Sequence, residues 1–265
     1  MLVFTQLVTP ESAETTSNYT VSGGVSVQSA ELLHDMRTVV LRTTPQTAGI
    51  NYTVTVNGVE NGAGAAIAAN SQRAFTATTT SAGTLRTQVY RNIQNTRLGY
   101  LYAAPSWPNS PTKTGSVNLF QYYELVFNEP SYTGIAENYG VRLSGYLIPP
   151  TSGFYTFHVA ANDNAVLYLG YSQDSSNIRL LASEPEANGY REWQAGSNQA
   201  SRGNPPANIS SPVYLEAGRY YWIEAHVKEG TGDDHLGVTW QGPGDPAPVN
   251  GGPAIQGTFL AMPLP

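Results

Sequence analysis

A chain of 265 residues with a formal net charge of −6 and no basic run carries no electrostatic footprint for nucleic acid or for an anionic membrane surface. It has no cysteine, which excludes disulfides, thiolate catalysis and zinc held on sulfur and suits an exported bacterial protein. Only 12% of residues are charged, 26 glycines and 18 prolines break the sequence into short runs, and no 3.6-residue apolar stripe persists, so the composition predicts all-β structure.

The first run, MLVFTQLVTP, is strand-like from its start, so the chain is expected to be an N-terminally truncated piece of a longer protein. Beyond it, NYTVSG, GVSVQSAEL, RTVVLRTT and INYTVTVNGV alternate apolar and polar residues, with SGG, TPQTAG and NGVENGAG supplying turns. Strand number and spacing over residues 1–75 predict one small β-sandwich. These runs resemble bacterial immunoglobulin-like modules across most of residues 4–71, which implies a spacer or presentation arm without a site. The Thr/Ser/Ala stretch TATTTSAGTLRT, residues 76–87, reads as a linker.

A second domain is expected over residues 88–265, again a β-sandwich. It opens with VYRNI, passes the proline-punctuated APSWPNSP, and then alternates strongly through YGVRLSGYLIPPTSGFYTFHVAANDNAVLYLG. NIRLLAS, PVYLEAGRYYWIEAHVKEG and HLGVTW supply further strands. The tail QGPGDPAPVNGGPAIQG is too rich in Pro and Gly for a central strand and is expected to wrap the surface as coil. No run of about 18 apolar residues occurs, so no membrane insertion is expected.

Three of these segments, GYLIPPTSGFYTF, NDNAVLYLG and LEAGRYYWIEAHVKEGTGDDHLGVTWQGPG, resemble the protective-antigen-type (PA-fourteen) domain family along about residues 86–245. The resemblance implies a β-sandwich of the kind attached to glycosidases, toxins, adhesins and flocculins, some of which bind carbohydrate through calcium. In those members two adjacent aspartates joined by a cis peptide chelate the ion. The matching positions here are Asn162 and Asp163, so an amide replaces one carboxylate. Calcium accepts six to eight hard oxygens, amide carbonyls included, and Asn162 is therefore a competent ligand that brings less charge. The loop KEGTGDDHLG, residues 228–237, is implied to lie beside this turn and offers Glu229, Asp233 and Asp234. Read without the resemblance, Asn162, Asp163 and Asn164 form an Asx-type turn that satisfies its own backbone, and GDDHL is a solvated acidic hairpin loop.

Saccharides are bound by aromatic faces together with amides and carboxylates. Trp107, Tyr190 and Trp193, with Asp163 and Asn164, are the candidate contacts, although Trp193 in GYREWQ suits a structural role equally well. No G-x-S-x-G elbow or H-E-x-x-H helix occurs, and nothing separates a catalytic pair from Glu184, Glu186, Glu192, Glu224 and Glu229. Strand parity leaves His158 and His226 able to face each other across a sheet, though a satisfied structural histidine is the stronger reading. The expectation is a non-catalytic, calcium-dependent carbohydrate-binding or adhesion module of a larger secreted or cell-surface protein. It would contact a polysaccharide or cell-surface glycan and other modules of its parent chain. A purely structural spacer is the alternative, and a glycosidase domain the third.

Overall fold

The computed structural model describes residues 1–33, 35–77, 80–123, 137–170, 175, 177–194 and 199–264. The chain divides into two compact units, Met1–Thr79 with Leu264–Pro265, and Thr80–Pro263. In the first, β1 (Leu2–Val3), β2 (Tyr19–Val21), β3 (Val27–Leu32), β4 (Thr38–Thr43), β5 (Asn51–Val56) and β6 (Ser71–Thr76) make two three-stranded sheets, β1-β4-β3 and β2-β5-β6. Tyr19, Val54 and Val56 of one sheet and Val39 of the other bury together, because alternation turns every second residue of each strand inward. The one-turn helix α1 (Pro10–Ala13) begins with proline, whose fixed φ suits a first helical position.

The second unit contains β7 (Thr80–Ala82), β8 (Leu85–Tyr90), β9 (Lys113–Val117), β10 (Gln121–Tyr123), β11 (Tyr139–Leu147), β12 (Gly153–Asn162), β13 (Asn164–Gly170), β14 (Ile178–Glu184), β15 (Val213–Leu215), β16 (Tyr221–Glu229), β17 (His235–Gln241) and β18 (Leu260–Pro263). Two short helices, α2 (Leu98–Tyr102) and α3 (Gln199–Arg202), lie between strands. An eight-stranded sheet carries β14-β13-β16-β11, with β8 and β18 both pairing β11, and faces a four-stranded sheet β10-β17-β12-β15. Tyr221, Ile223, Ala225 and Val227 of one sheet meet Tyr155, Phe157, Val159 and Ala161 of the other in a single core. The expected all-β architecture is what the chain adopts.

Two expectations are corrected. Residues 80–82 and 85–87, placed in a linker, are strand: β7 pairs β18 and β8 pairs both β11 and β9, so the unit boundary is narrow and falls just before Thr80. The proline-rich tail is coil for most of its length, yet Ala254 and Ile255 are buried and the amide of Ile255 donates to the carbonyl of Val238 at 2.9 Å. That tail closes one edge of the core.

The faces turned away from the core are also covered. On β16, the alternate residues Trp222, Glu224 and His226 lie beneath α2 and Trp107. Glu224 accepts Arg142 Nη2 at 2.6 Å, His226 Nε2 at 2.5 Å and Trp222 Nε1 at 3.1 Å, and the Tyr102 hydroxyl donates to His226 Nδ1 at 2.9 Å. Burial favours protonation of Glu224, but the bonds from His226 and Arg142 outweigh it and hold the carboxyl down at about 2. On β12, His158 is covered by an excursion, residues 185–194 and 199–210, which Arg202 pins. Its guanidinium reaches Glu184 at 2.5 Å with both side chains wholly buried, and also donates to the carbonyls of Gln194 at 2.8 Å and Glu192 at 2.9 Å. His158 and His226 therefore lie on the outer faces of different sheets and do not face each other.

Three outcomes follow from this packing. Gly145 sits where β11 changes partner from β8 to β18, and a Cβ there would lie 2.5 Å from the Ala261 carbonyl oxygen. Gly145→Ala is expected to lower stability by about 1–3 kcal/mol in denaturant unfolding. Arg202→Met, which leaves Glu184 buried and unpaired, is expected to cost about 3–5 kcal/mol by the same measurement. Burial lowers the His158 pKa against the pull of the Trp193 carbonyl, so the unfolded chain binds its proton more readily. The stability this residue contributes is intact above about pH 6.5 and is lost as pH falls below it, and a melting-temperature profile of His158→Gln should be flatter across that window.

Candidate functional site

Because β12 belongs to the four-stranded sheet and β13 to the eight-stranded one, Asn162, Asp163 and Asn164 do not close a hairpin. They carry the chain from one layer to the other. Residues 230–234, between β16 and β17, make the return crossing. Asn162 pairs with His235 and Asn164 with Lys228, so both crossings occupy the same end of the sandwich, and GDDHL is not a hairpin loop either. The Asn162–Asp163 peptide is cis, as the family resemblance implies.

The crossings are tied together through Gly230. Its amide donates to Asp163 Oδ2 at 3.0 Å, and its carbonyl accepts the Asn138 amide at 2.7 Å. A Cβ on this residue would stand 2.6 Å from Thr96 Cγ2, so glycine is what permits the approach. Lys228 Nζ donates to the carbonyls of Asn95, at 2.5 Å, and Glu229. The Tyr139 hydroxyl donates to Asp234. Asn164 is committed to the scaffold: its amide nitrogen donates to the carbonyls of Glu184 at 3.2 Å and Pro185 at 2.9 Å, and its Oδ1 accepts the Leu98 amide at 3.3 Å.

Charge is poorly balanced in this end. Glu229 is 1% exposed and neither carboxylate oxygen has a hydrogen-bond partner among the described residues. Burial, reinforced by the charges of Asp163 and Asp234, pushes its carboxyl up to about 8 against the pull of Lys228. Burial also raises Asp163, opposed by the Gly230 amide and Lys228, and lowers Lys228 to about 8 against the attraction of Glu229 and Asp163. Asp163 and Glu229 thus share a single ammonium, while Asp234 adds its charge to that of Asp163 against Glu229. Asp234 is buried among them, whereas Asp233 is exposed. No three His, Asp or Glu side chains among the described residues are grouped so as to hold a metal by themselves. What suits a hard cation is the unsatisfied Glu229 carboxylate coupled to Asp163, with amide and backbone oxygens to complete a shell.

Beside the crossings, Tyr190 is 48% exposed and its ring meets the His235 ring edge-on at 5.8 Å. Its hydroxyl accepts Gln121 Nε2 at 2.8 Å. Gln121 Oε1 in turn accepts Arg191 Nε at 3.0 Å and Nη2 at 2.8 Å, and the guanidinium carbon stands 5.0 Å over the Tyr190 ring. Trp193, by contrast, is completely buried and its indole N–H donates to the Gly252 carbonyl at 3.1 Å, a core role that leaves no face for a ligand. Trp107 packs on Tyr90, Tyr102 and His226 over the outer face of the large sheet. Sequence reasoning missed Gln121, Arg191, Tyr139 and Asn95, which share no local spacing with the loops they join, and passed over Lys228 although it opens the loop KEGTGDDHLG. The adjacency of Arg191 to Tyr190 and of Lys228 to Glu229 was the signal available.

A region of 106 residues is 29% identical to the N-acetyl-beta-glucosaminyl-glycoprotein 4-beta-N-acetylgalactosaminyltransferase 1 of Mus musculus, covering 40% of this chain and 10% of that protein. Another of 92 residues is 34% identical to the flocculation protein FLO9 of Saccharomyces cerevisiae, covering 32% of this chain and 6% of that protein. The chain thus spans a tenth or less of these relatives. Among solved structures, the PA14 domain of the MpAFP antifreeze protein superposes with a TM-score of 0.49 at 16% identity, over 72% of this chain and 96% of that one. The A domain of epithelial adhesin 6 from Candida glabrata, in complex with Galb1-3GlcNAc, gives a TM-score of 0.46 at 18% identity, over 70% of this chain and 89% of that one. Residues 105–250, more than half of the chain, match the PA14 domain, and the chain belongs to that family.

Proposed function

We propose that the PA14 unit is a non-catalytic carbohydrate-binding or adhesion module of a larger exported protein, that calcium assists its binding, and that the first unit is an immunoglobulin-like spacer. The observation that carries this reading is the convergence of these two layer crossings on Glu229, a buried carboxyl without a hydrogen-bond partner among the described residues. The matched segments form small parts of a glycosyltransferase and of a flocculation protein, which supports a module shared among proteins of different activity. Family membership supports a place on secreted or cell-surface proteins, and no helix among the described residues is long and apolar enough to cross a membrane.

Asp163, Glu229 and Asp234, with the Asn162 amide, are the residues we assign to the cation. Asp163 already accepts the Gly230 amide through Oδ2, which leaves its other oxygen for an ion. Asp233, exposed beyond Asp234, is the reserve candidate. A bound calcium would offer hard coordination positions to saccharide hydroxyls. The chain's own part is to hold the carboxylates in place and to present Tyr190 at their side.

Melting of the full chain in calcium and in chelator tests this. A cation that binds only the folded unit stabilises it by about 2.7 kcal/mol at a hundredfold excess over Kd, so the melting temperature should rise with calcium. Asp163→Ala should abolish the rise, and Asn162→Asp should keep or enlarge it. Glu229→Gln, which mimics the protonated carboxyl, should leave the melting temperature in chelator little changed near neutral pH and shrink the calcium effect. Identical melting of wild type and Asp163→Ala at all calcium concentrations would remove the cation from the proposal. In a glycan panel run with calcium and with chelator, calcium-dependent binding is expected, whereas silence throughout would favour a spacer.

A further inference from the structure

We propose that Arg191, mounted on Tyr190 and Gln121, recognises the carboxylate of an acidic saccharide at the end of the sandwich that holds the crossings. The inference rests on the carbohydrate reading above and narrows its ligand class.

The argument begins with the way this arginine is held. Among the described residues, Arg142, Arg202 and Arg219 each pair with a glutamate, but no acid pairs with Arg191. The adjacent Glu192 is turned to the amide of Gly189, which donates to it at 2.7 Å. Arg191 is instead fixed by neutral groups, with one amide oxygen on its Nε–Nη2 edge and an aromatic face beneath it. In a protein of net charge −6, a half-buried cation kept clear of acids is a positive point available to an external anion.

The geometry also says which anion. Gln121 Oε1 accepts both N–H groups of one guanidinium edge, so the Nη1–Nη2 edge keeps two parallel donors with no partner among the described residues. Two parallel N–H groups match the two oxygens of a carboxylate in a bidentate pair. Stacking on Tyr190 fixes the plane of the fork, and the Gln121–Tyr190 bond fixes the ring in turn. The exposed part of the Tyr190 ring supplies an apolar surface for the sugar that bears the acid. The fork is held near the cation site because Tyr190 contacts His235, the residue after Asp234, and because the Asn188 amide donates to Ala161 at 2.9 Å on the strand that ends in Asn162.

The test titrates the full chain with a uronate oligosaccharide, its carboxyl-reduced counterpart and a sulfated oligosaccharide, and follows the Arg191 side-chain N–H resonances during addition of free glucuronate. About tenfold tighter binding of the uronate than of the reduced form is expected, with Arg191 resonances shifted by glucuronate. Arg191→Gln should bring that ratio close to one, and Arg191→Lys, which keeps the charge but not the fork, should lose most of it, both with unchanged melting temperature. A ratio near one in the wild type, a ratio that survives Arg191→Gln, or stronger binding of the sulfated sugar would overturn the assignment. If Arg191 resonances shift with glucuronate while no oligosaccharide binds, carboxylate recognition stands and the carbohydrate-module reading fails. If a neutral oligosaccharide binds while those resonances stay still, the module reading stands and the assignment falls.

Discussion

Because β12 pairs with β17 in one sheet while β13 pairs with β16 in the other, the chain changes layers between β12 and β13 and again between β16 and β17, and the register of those pairs brings these two changes to one end. Everything specific to that end depends on this constraint. The crossing at Asp163 receives the amide of Gly230 from the other crossing, and Lys228 and Glu229 at the end of β16 are buried there with Asp234 of the crossing itself. A hairpin at either place would have kept each polar loop within a single sheet. The core itself would tolerate many apolar substitutions of similar volume, but a one-residue slip of β16 against β13 would exchange the faces of every side chain on the strand.

The same constraint explains why so many ionisable groups are buried in a chain with few charges. Parts of the outer faces of both sheets are covered, so some residues whose alternation turns them away from the core still lose contact with water. On β16 that cost is met largely at Glu224, which receives donors from Arg142, Trp222 and His226. On the excursion it is met by Arg202, which reaches Glu184 and two carbonyls. At the crossings it is not met, since Glu229 lacks any partner among the described residues. Natural interiors leave few polar atoms unsatisfied, so an exception adjoining two other acids stands apart from the structural networks around it.

Much of the architecture was legible in sequence because period-two alternation is local. The runs YTFHVAA and NAVLYLG announce strands whose inward residues can be counted off directly. Which sheet each run joins is a long-range matter, and so the crossing at Asn162 reads locally as a turn. The low-complexity stretch after Thr76 misled for a related reason: Thr80–Ala82 is held as strand by Ala261–Pro263 at the far end of the chain, not by its own composition. At the site, Asp163, Glu229 and Asp234 could be nominated from residue type and resemblance. Arg191 could not, because its significance lies in what surrounds it, namely Gln121 from seventy residues earlier and no acid. Trp193 misled in the opposite direction, since a tryptophan in a loop is as often a plug as a platform, and its indole is wholly enclosed.

The pairing of Thr80 with Pro263 bears on how the second unit meets force. Strands β7 and β18 are antiparallel neighbours, and the points where the chain enters and leaves this unit lie side by side at one end of the pair. Tension drawn between those two points would act across the ladder rather than along it, and would open its bonds one after another like a zip. Shear along two long strands would load all of them together. The crossings and the core lie outside the first segment to open. Under a pull of this kind the unit would yield early at its base and lengthen by a few residues while its opposite face stayed folded.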